Sequence, residues 1–305
     1  MTETGKIHTI GAERTAFAFR PDVEPALRVQ PGEIVRFETS AKPIEHLIAA
    51  GDRWLEILDL DAINAITGPV YIEGVEPGDA VAVEILDITP ADWGWCAYIP
   101  GYGLLARRLQ RPMLRRLPIR DGQIHISDRL TIPVRPSIGC LGLAPAKGQS
   151  STLGPPYPWG GNYDLPQIRP GSTVLLPAQV PGGLFSLGDL HAAMGAHEPT
   201  FVSIECPGVA TVRLRVRKGL ALQTPRIETP DRLYTVGLTA DDSSFGLDFN
   251  PARRQAVALM FDYLTRERGF SPEDAYILTS ACVDLELGGP AGAVVLASIP
   301  LAVLT

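Results

Sequence analysis

The segment GDLHAAMGAHE, residues 188–198, contains three side chains that could bind a metal ion or carry a proton. Asp189 and His191 stand two positions apart, and Glu198 ends the segment, with small or apolar residues and a second histidine between them. Residues two apart in an extended strand share a face, so Asp189 and His191 would point into the same space. Spacing alone leaves two interpretations open: a metal-binding loop, or an aspartate that caps a turn beside a hydrogen-bonded histidine.

A second polar pair with the same spacing occurs upstream, in WGGNYDLPQI at residues 159–168. Asn162 and Asp164 directly follow Gly160 and Gly161, which allow backbone conformations closed to other residues. In an extended segment these two polar side chains would also share a face. The pair could therefore complete a site with the downstream segment, or it could consist of ordinary turn residues.

Carboxylate oxygens and imidazole nitrogens together suit a borderline divalent ion, most naturally zinc. The metal hypothesis assigns Asp164, Asp189 and His191 as ligands, which leaves a position for a water molecule that the metal acidifies. Glu198, if it is not itself a ligand, would take the proton of that water, and Asn162 would donate to a developing oxyanion. The alternative for Glu198 is a surface carboxylate without a catalytic role.

The elements that must position these residues are predominantly β-strands. QPGEIVRFE (30–38), EPGDAVAVEILDI (76–88) and RPGSTVLLPAQV (169–180) each place Pro-Gly before an apolar, β-branched run. Proline followed by glycine favours a type II turn, so each segment is predicted to be a turn that leads into a strand. ATVRLRVRKGL (210–220) alternates apolar and arginine side chains and is typical of a strand with one buried face. This pattern predicts a sandwich or jelly roll.

Helices are predicted only near the C-terminus. Asn250 is expected to cap a helix that starts at Pro251, and Ser271 to cap a second one. The final segment, AVVLASIPLAVL, is again predicted to be a strand. We therefore predict a mainly β protein: a jelly-roll-like β-sandwich that carries the site at residues 1–222, closed by an α/β segment at 223–305.

Composition excludes several classes of function. A net charge of −7 argues against a dedicated nucleic-acid surface, and no apolar stretch reaches transmembrane length. The first residues, MTETGKIHTIG, lack a basic start followed by an apolar run, so we expect no secretory signal and a cytoplasmic location. The cysteines are expected to be reduced core thiols; they are Cys96, Cys140, Cys206 and Cys282.

A cluster of arginines occurs within RRLQRPMLRRLPIR. Phosphate binding is one interpretation, but a solvated edge or a subunit contact is favoured, because no aromatic residues are interleaved as in single-strand binders. The arginines are Arg107, Arg108, Arg111, Arg115, Arg116 and Arg120.

The segment GGNYDLPQIRPGSTVLLPAQVPGGLFSLGDLHAAMGAHE resembles the central signature of the acetamidase/formamidase family. Members carry GGN-x-D, a PG-S-x-L/V-x-LP strand, a PGALFS-like segment, and GD-x-HAA-x-G ending in a glutamate. TGPVYIEGVEPGDAVAVEILDI, IGCLGLAPA and EDAYILTSACVDLELGG resemble further segments in the family's order, so the likeness covers most of the chain.

The resemblance implies a β-rich jelly-roll-like sandwich, self-association into at least dimers, and metal-assisted hydrolysis of short amides to ammonia and a carboxylate. Carried over residue by residue, it points to Asn162, Asp164, Asp189, His191 and Glu198. We therefore expect an amidohydrolase with a small-molecule amide substrate. The alternatives are a hydrolase of larger aryl or substituted amides, and a non-catalytic jelly roll that binds a small ligand.

The sequence departs from the family pattern at two places. Ala196-His197 stands where the family often has Asp-Gly, and His197 could be a replacement ligand, a base or an outward-facing residue. Trp159 precedes the GGN stretch where a smaller or polar residue is common. We predict that Trp159 and His197 contact the substrate, which would then be larger or flatter than formamide. The alternative is that the aromatic residues pack at the sandwich rim or at an interface. The other aromatics in neighbouring loops are Trp93, Trp95, Tyr98, Tyr102 and Tyr157.

Overall fold

Short strands joined by tight turns make up most of the chain, in a computed structural model that describes residues 6–239 and 248–304. In chain order the strands are β1 (Ile7–Ile10), β2 (Thr15–Ala16), β3 (Ala18–Phe19), β4 (Leu27–Val29), β5 (Ile34–Glu38), β6 (Ile66–Ile72), β7 (Ala80–Pro90), β8 (Trp93–Tyr98), β9 (Met113–Arg120), β10 (Gln123–Ser127), β11 (Leu130–Pro133), β12 (Ser137–Gly142), β13 (Ser150–Ser151), β14 (Gly160–Asn162), β15 (Thr173–Pro177), β16 (Phe185–Ala193), β17 (Ile204–Glu205), β18 (Gly208–Arg217), β19 (Arg226–Glu228), β20 (Arg232–Thr239), β21 (Asp284–Leu287) and β22 (Ala293–Pro300).

Helical segments are fewer than strands in the described ranges. The α-helices in the described ranges are α1 (Lys42–Ala49), α2 (Phe249–Asp262) and α3 (Pro272–Cys282). Short 3₁₀-helices lie at Gly51–Glu56, Leu60–Ala62 and Leu301–Val303, and a π-helical turn at Tyr263–Glu267 extends α2.

Two large sheets account for nearly all of the strands in the described part of the chain. The first has nine strands in the order β1-β5-β18-β7-β15-β19-β20-β22-β21. The second has eleven and runs β11-β10-β9-β8-β17-β16-β12-β14, with β6 on β16 and with β2 and β4 on β6. Strands β3 and β13 form a separate small pair. Because β16 pairs with β12 on one side and with β6 and β17 on the other, it lies at the centre of the second sheet.

The two sheets pack face to face over one apolar core. Phe37 of β5 and Phe185 of β16 meet edge to face with ring centroids 5.7 Å apart, which joins the first sheet to the second. Val83, Ile138 and Leu187 are fully buried in the same cluster. The predicted mainly β sandwich with a C-terminal α/β segment is therefore confirmed.

The three predicted Pro-Gly turns are present and lead into β5, β7 and β15. Gly32, Gly78 and Gly171 have φ values of 96°, 93° and 89°, a region that favours glycine. In each turn the amide that follows the glycine donates to a carbonyl three residues earlier, at 3.0 to 3.1 Å. Each turn therefore fixes the position at which the strand after it begins.

Asp79, the first residue after one of these turns, ties the turn to the end of β18. Its carboxylate accepts from the amides of Glu76 and Gly219 at 2.9 Å and from Lys218 Nζ at 2.5 Å. Burial alone would raise the pKa of Asp79, but these hydrogen bonds outweigh it and the pKa is lowered. Because the folded pKa lies below the unfolded one, the stabilisation is present above the unfolded pKa and is lost as pH falls.

Replacing Asp79 with asparagine is expected to lower the free energy of unfolding at pH 7 by about 1–2 kcal/mol, since charge-assisted hydrogen bonds are lost. Denaturant unfolding would also show a weaker loss of stability below about pH 4 than in the wild type. Asp128→Asn, at an exposed position, is the matched control. Equal stability of the two variants would contradict this role for Asp79.

The C-terminal segment continues the first sheet and covers part of it with helices. Strand β19 pairs with β15, and Ala256 and Met260 of α2 pack with Val295 and Ala297 of β22 in a second apolar cluster. The two predicted helices are present, and Ser271 caps α3 as expected. The start of α2 was misplaced in the sequence prediction. Asp248, rather than Asn250, is the N-cap, because its carboxylate accepts from the Asn250 amide at 3.0 Å.

Several expectations from composition can be compared with the structure. All the cysteines are free; Cys140 and Cys206 are buried, whereas Cys96 and Cys282 are half-buried. The arginine cluster lies on an exposed loop and on β9, where Arg116 stacks over the Trp93 ring at 4.4 Å. None of the helices within residues 6–239 and 248–304 has the length and apolar character that crossing a bilayer requires.

Candidate active site

The predicted Asp-x-His pair lies near the end of β16, in the middle of the second sheet. His191 is 1% exposed, and its Nε2 lies 3.6 Å from Oδ2 of Asp189. Asp189 has a φ of 57°, a left-handed conformation that is uncommon for aspartate. Such strain at a non-glycine residue is typical of functional sites, where the surrounding structure holds it in place.

Asp164 reaches the same point from the end of β14. The amides of Tyr163 and Asp164 both donate to the carbonyl of Gly139, at 3.0 and 3.1 Å, which fixes this turn against β12. Asp164 has a φ of 47° and is 1% exposed. Its Oδ1 lies 3.7 Å from His191 Nε2. The structure therefore brings together the three residues that the metal hypothesis selected.

Glu205 is a further carboxylate at this point, and the sequence analysis missed it. It lies in β17 directly opposite His191, and its Oε2 is 3.3 Å from His191 Nε2. The other oxygen, Oε1, accepts from the amide and hydroxyl of Ser203 at 3.0 and 2.8 Å. The available signal was a lone carboxylate in the apolar stretch between Ile204 and Cys206, where an unpaired charge would be unfavourable.

Asn64, also missed from the sequence, begins a chain of amide hydrogen bonds that orients Asp164. Its Nδ2 donates to the Thr152 carbonyl and to Asn162 Oδ1, each at 2.8 Å, and lies 3.4 Å from Asp189 Oδ2. Asn162 Nδ2 in turn donates to Asp164 Oδ2 at 2.9 Å. The amide of Asn162 is thus engaged in holding Asp164, while its predicted role as an oxyanion donor stays a prediction.

Gly139 leaves the space in which these side chains meet. A Cβ at this position would lie 2.4 Å from Asp189 Oδ2, 2.6 Å from Asp164 Oδ1 and 2.7 Å from His191 Cε1. Real Cβ atoms do not approach other heavy atoms this closely. The centre of the site is therefore accessible to the three side chains only because position 139 has no side chain.

Glu198 approaches from the loop that follows β16. It is buried, and one carboxylate oxygen lies within 4.8 Å of donor atoms of His191 and Glu205. Residues 197, 198 and 201 have φ values of 69°, 41° and 74°, so the loop is strained at several non-glycine positions. Because Glu198 is buried, it is not the surface carboxylate that the alternative interpretation predicted.

The buried cluster contains four carboxyl groups and one histidine, more acidic groups than one histidine can neutralise if all are ionised. Burial raises the pKa values of Asp164 and Glu198 well above the ordinary carboxyl value, and neighbouring carboxylates add to this. Burial also raises the pKa of Glu205, to about 7, although His191 acts in the opposite direction. Burial opposes a charged His191, but Glu205 and Asp189 outweigh it and raise its pKa to about 10. Burial opposes ionisation of Asp189 too, yet the charge of His191 together with hydrogen bonds lowers its pKa.

Two polar atoms of the cluster have no hydrogen-bond partner among the described residues, although both are fully buried. They are Oδ1 of Asp164 and Nδ1 of His191. Buried polar groups are almost always satisfied, and a buried carboxylate oxygen without a donor is especially unfavourable. Asp164 Oδ1 faces His191 at a distance too long for a hydrogen bond. A cation bound between these groups would supply the missing partner of Asp164.

A pocket of about 70 Å³ opens onto the cluster; we call it the inner pocket. Its polar end is formed by Asn64, Asn162 and the four carboxylates. Its wall is apolar and aromatic, and consists of Leu47, Trp54, Leu58, Leu60, Ile63, Trp95, Ala97, Ile99, Leu114, Leu153, Phe201 and Val202. A site that is mostly apolar with a few convergent polar groups is typical of small-molecule binding.

The two residues predicted to contact the substrate do not line the inner pocket. The indole of Trp159 donates to Ser150 Oγ at 3.0 Å and stacks on Tyr157 with ring centroids 5.1 Å apart. His197 Nδ1 is hydrogen-bonded to the Gly288 carbonyl at 2.7 Å. Both side chains therefore serve packing and loop anchoring in this structure. That they contact the substrate therefore stays a prediction, and the aromatic part of the wall of the inner pocket is formed by Trp54, Trp95 and Phe201.

A buried carboxylate–histidine centre beneath an apolar pocket, set in a β-sandwich, is a site of the kind that hydrolytic enzymes use. Residues 9–153 and 146–305 match the Acetamidase/Formamidase family. The chain belongs to this family. Family and relatives together support a hydrolase that acts on amides.

Individual relatives agree with this assignment. The structure is similar to that of a predicted acetamidase/formamidase from Thermoanaerobacter tengcongensis, with a TM-score of 0.90 and 29% identity over 99% of this chain and 98% of that one. It is also similar to an acetamidase from Bacillus halodurans, with a TM-score of 0.86 and 31% identity over 97% and 98% of the two chains. A formamidase from Methylophilus methylotrophus is 25% identical over 351 residues, which cover 89% of this chain and 84% of the relative.

Proposed function

We propose that this protein hydrolyses a small primary carboxamide to a carboxylate and ammonia, and that the site does so with a bound divalent cation, most naturally zinc. The observation that carries the proposal is the arrangement around His191 Nε2. Oxygens of Glu205, Asp189 and Asp164 lie 3.3, 3.6 and 3.7 Å from it. These three distances are too long for good hydrogen bonds. They are nevertheless shorter than expected for buried charged groups that do not share a binding partner.

The donor set and its spacing fit a tetrahedral cation. Ligand atoms that lie about 2.0–2.2 Å from a tetrahedral zinc ion are about 3.3–3.6 Å from one another. The side chains that would hold the ion are His191, Asp164 and Asp189, whose donor atoms form one group, and Glu205, which with Glu198 forms a second group around the same histidine. A divalent cation would also neutralise part of the buried negative charge. When bound, it would polarise the amide carbonyl and lower the pKa of a water molecule.

The protein's own groups then position the substrate and move protons. The apolar wall of the inner pocket holds the acyl group and excludes bulk water from the polar end. In this proposal Glu198, which lines the inner pocket beside the cluster, takes a proton from the attacking water and delivers it to the leaving nitrogen. Attack forms the new C–O bond, the C–N bond breaks, and the nitrogen leaves as ammonia.

The size and lining of the inner pocket favour a short amide with an apolar acyl group. Its volume of about 70 Å³ would hold only a few groups of the size of a water molecule. The indole of Trp95 forms part of the wall next to Glu205, its partner in the β8–β17 pairing. Larger aryl amides would require this wall to move.

A panel of amides of increasing size tests both the proposed activity and the proposal that the wall of the inner pocket limits the size of the substrate. The wild type is expected to release ammonia from acetamide and propionamide and only slowly from benzamide. Trp95→Ala is expected to shift the kcat/KM ratio toward the larger amides by about tenfold, because several methylene equivalents of space are added. Trp159→Ala, outside the pocket, is the matched control and should leave the ratio unchanged. The opposite pattern would support the prediction that Trp159 contacts the substrate.

We also propose that the protein is a cytoplasmic homo-oligomer. Support for a subunit contact comes from the loop that carries the first arginines of the cluster. Leu104, Leu105 and Leu109 on this loop are 65%, 49% and 51% exposed. Exposed leucines interleaved with arginines are typical of interface surfaces, which are enriched in arginine.

A further inference from the structure

Asn64 stands at the wall between two cavities that meet at the buried cluster. It lines the inner pocket, and it also lines a second cavity of about 50 Å³ on the side of Ser40 and Cys206. Trp95, Asp189 and Glu205 are likewise common to both. Asn64 itself is 6% exposed, so its amide is enclosed by the site rather than by solvent. Neither the proposed proton transfer nor the proposed cation uses this side chain.

The orientation of the Asn64 amide is fixed by its surroundings. Its nitrogen faces the Thr152 carbonyl, Asn162 Oδ1 and Asp189 Oδ2, which are all acceptors, so the opposite orientation would place oxygen against oxygen. The Asn64 backbone carbonyl accepts from Thr152 Oγ1 at 2.6 Å, which anchors the residue at a second point. The Asn64 Oδ1 atom must therefore point away from this group of acceptors.

Asn64 Oδ1 has no hydrogen-bond donor among residues 6–239 and 248–304, yet it is not one of the fully enclosed unpartnered atoms. Because the rest of the side chain is buried, an Oδ1 that is neither paired nor enclosed borders the cavities that Asn64 lines. It is a neutral acceptor on the boundary that Asn64 forms with the inner pocket and the second cavity. The neighbouring carboxylates are ionisable and fit a cation, whereas an amide oxygen fits an uncharged N–H donor.

We propose that Asn64 is a specificity-determining residue whose Oδ1 accepts an N–H of the substrate carboxamide; the proposal rests on the function proposed above. A primary carboxamide offers two N–H donors on one side of its carbonyl carbon and an oxygen acceptor on the other. Pairing one N–H with Asn64 places the nitrogen toward Asn64 and turns the carbonyl oxygen away from it. The reverse orientation would place the substrate carbonyl oxygen against Asn64 Oδ1, and two acceptors would repel each other. The contact therefore selects one of the two orientations in which a small amide can bind.

This contact also distinguishes amides from esters of similar size. An ester has no N–H, so its binding would leave Oδ1 of Asn64 desolvated and unpaired. An unpaired buried acceptor destabilises the complex by about 1–3 kcal/mol, which corresponds to about 5- to 150-fold in kcat/KM. A site that hydrogen-bonds a substrate N–H rejects the analogue that lacks it.

The test compares acetamide with methyl acetate, which share an acyl group, in the wild type and in Asn64→Ala. The quantity measured is the ratio of the two kcat/KM values, or the inhibition constant of methyl acetate if the ester is not turned over. Asn64→Ala is expected to lower the preference for the amide about 10- to 100-fold. Loss of the Nδ2 hydrogen bonds would lower both activities together and would not change their ratio.

Asn162→Ala is the matched control, because it removes the next amide in the same hydrogen-bonded chain. It should lower both activities and leave the ratio unchanged. If thermal unfolding shows that Asn64→Ala does not fold, Asn64→Ser, which fills more of the space, is measured in its place with the same expectation.

An unchanged amide-to-ester ratio in the folded Asn64 variant would overturn the proposal, even if both activities fall. In that case Asn64 would serve only to hold Asn162 and Asp164. A wild-type protein that releases no ammonia from any amide would instead overturn the proposed function, and the inference with it. The two failures are therefore distinguished by the wild-type measurement alone.

Discussion

Replacing Gly139 with alanine is expected to abolish amide hydrolysis, by about 1000-fold or more, while the protein remains folded. The added methyl group would occupy the point where Asp164, Asp189 and His191 converge, at distances of 2.4 to 2.7 Å from their atoms. The three side chains would have to move apart, so neither a cation nor the substrate carbonyl could be held in the arrangement described above. Ammonia release and circular dichroism measure the two parts of this expectation.

Gly195→Ala is the matched control for this substitution. Gly195 lies in the same segment as Asp189 and His191, but a Cβ there meets nothing within 4 Å, and its φ is outside the left-handed region. Its activity should be close to that of the wild type. A Gly139→Ala protein with near-normal activity would show that the reaction takes place elsewhere in the molecule.

Replacing His191 with alanine is expected to remove both the activity and the bound metal. His191 is the only nitrogen donor of the described cluster, and its Nε2 faces three carboxylate oxygens. Loss of one ligand of a buried site lowers metal affinity steeply, and loss of the metal removes most of the polarisation of the amide. We expect a decrease in kcat/KM of about 1000-fold or more. Elemental analysis of the purified variant reports the metal directly.

Glu205→Gln keeps the shape of the side chain and tests the ligand that the sequence analysis missed. It should also lose metal and activity, because the amide is a weaker ligand than the carboxylate. His46→Ala, at an exposed position on α1, is the control and should behave as the wild type. If the His191 variant keeps its activity, the cation-centred account is wrong even though the family assignment stands.

The sequence predicted those parts of the site that depend on local spacing. Asp189 and His191 are two apart in β16, and Asn162 and Asp164 directly follow two glycines, so spacing singled out both pairs as candidates and the family resemblance favoured them as a site. Glu205 and Asn64 could not be placed in this way. Glu205 reaches His191 only through the pairing of β17 with β16, and Asn64 bonds directly to Asn162, which is 98 positions away in the sequence. Such long-range register is not encoded in any short segment.

The differences between prediction and structure have similar physical causes. Trp159 and His197 are close to site residues in the sequence, but Trp159 stacks on Tyr157 and His197 is hydrogen-bonded to the Gly288 carbonyl, so neither lines the inner pocket. The short helix α1 was not predicted, because its eight residues include only two buried apolar residues, Ile44 and Leu47. The Pro-Gly turns were predicted well, since their conformation depends on two adjacent residues alone.

The measurement that tests the central claim most directly is the metal content and ammonia release of the wild type before and after chelation. We predict about one equivalent of divalent metal per chain, loss of activity when it is removed, and recovery on addition of zinc. A protein that hydrolyses amides at an unchanged rate after the metal has been removed would contradict the account of Asp164, Asp189, His191 and Glu205 as a cation site.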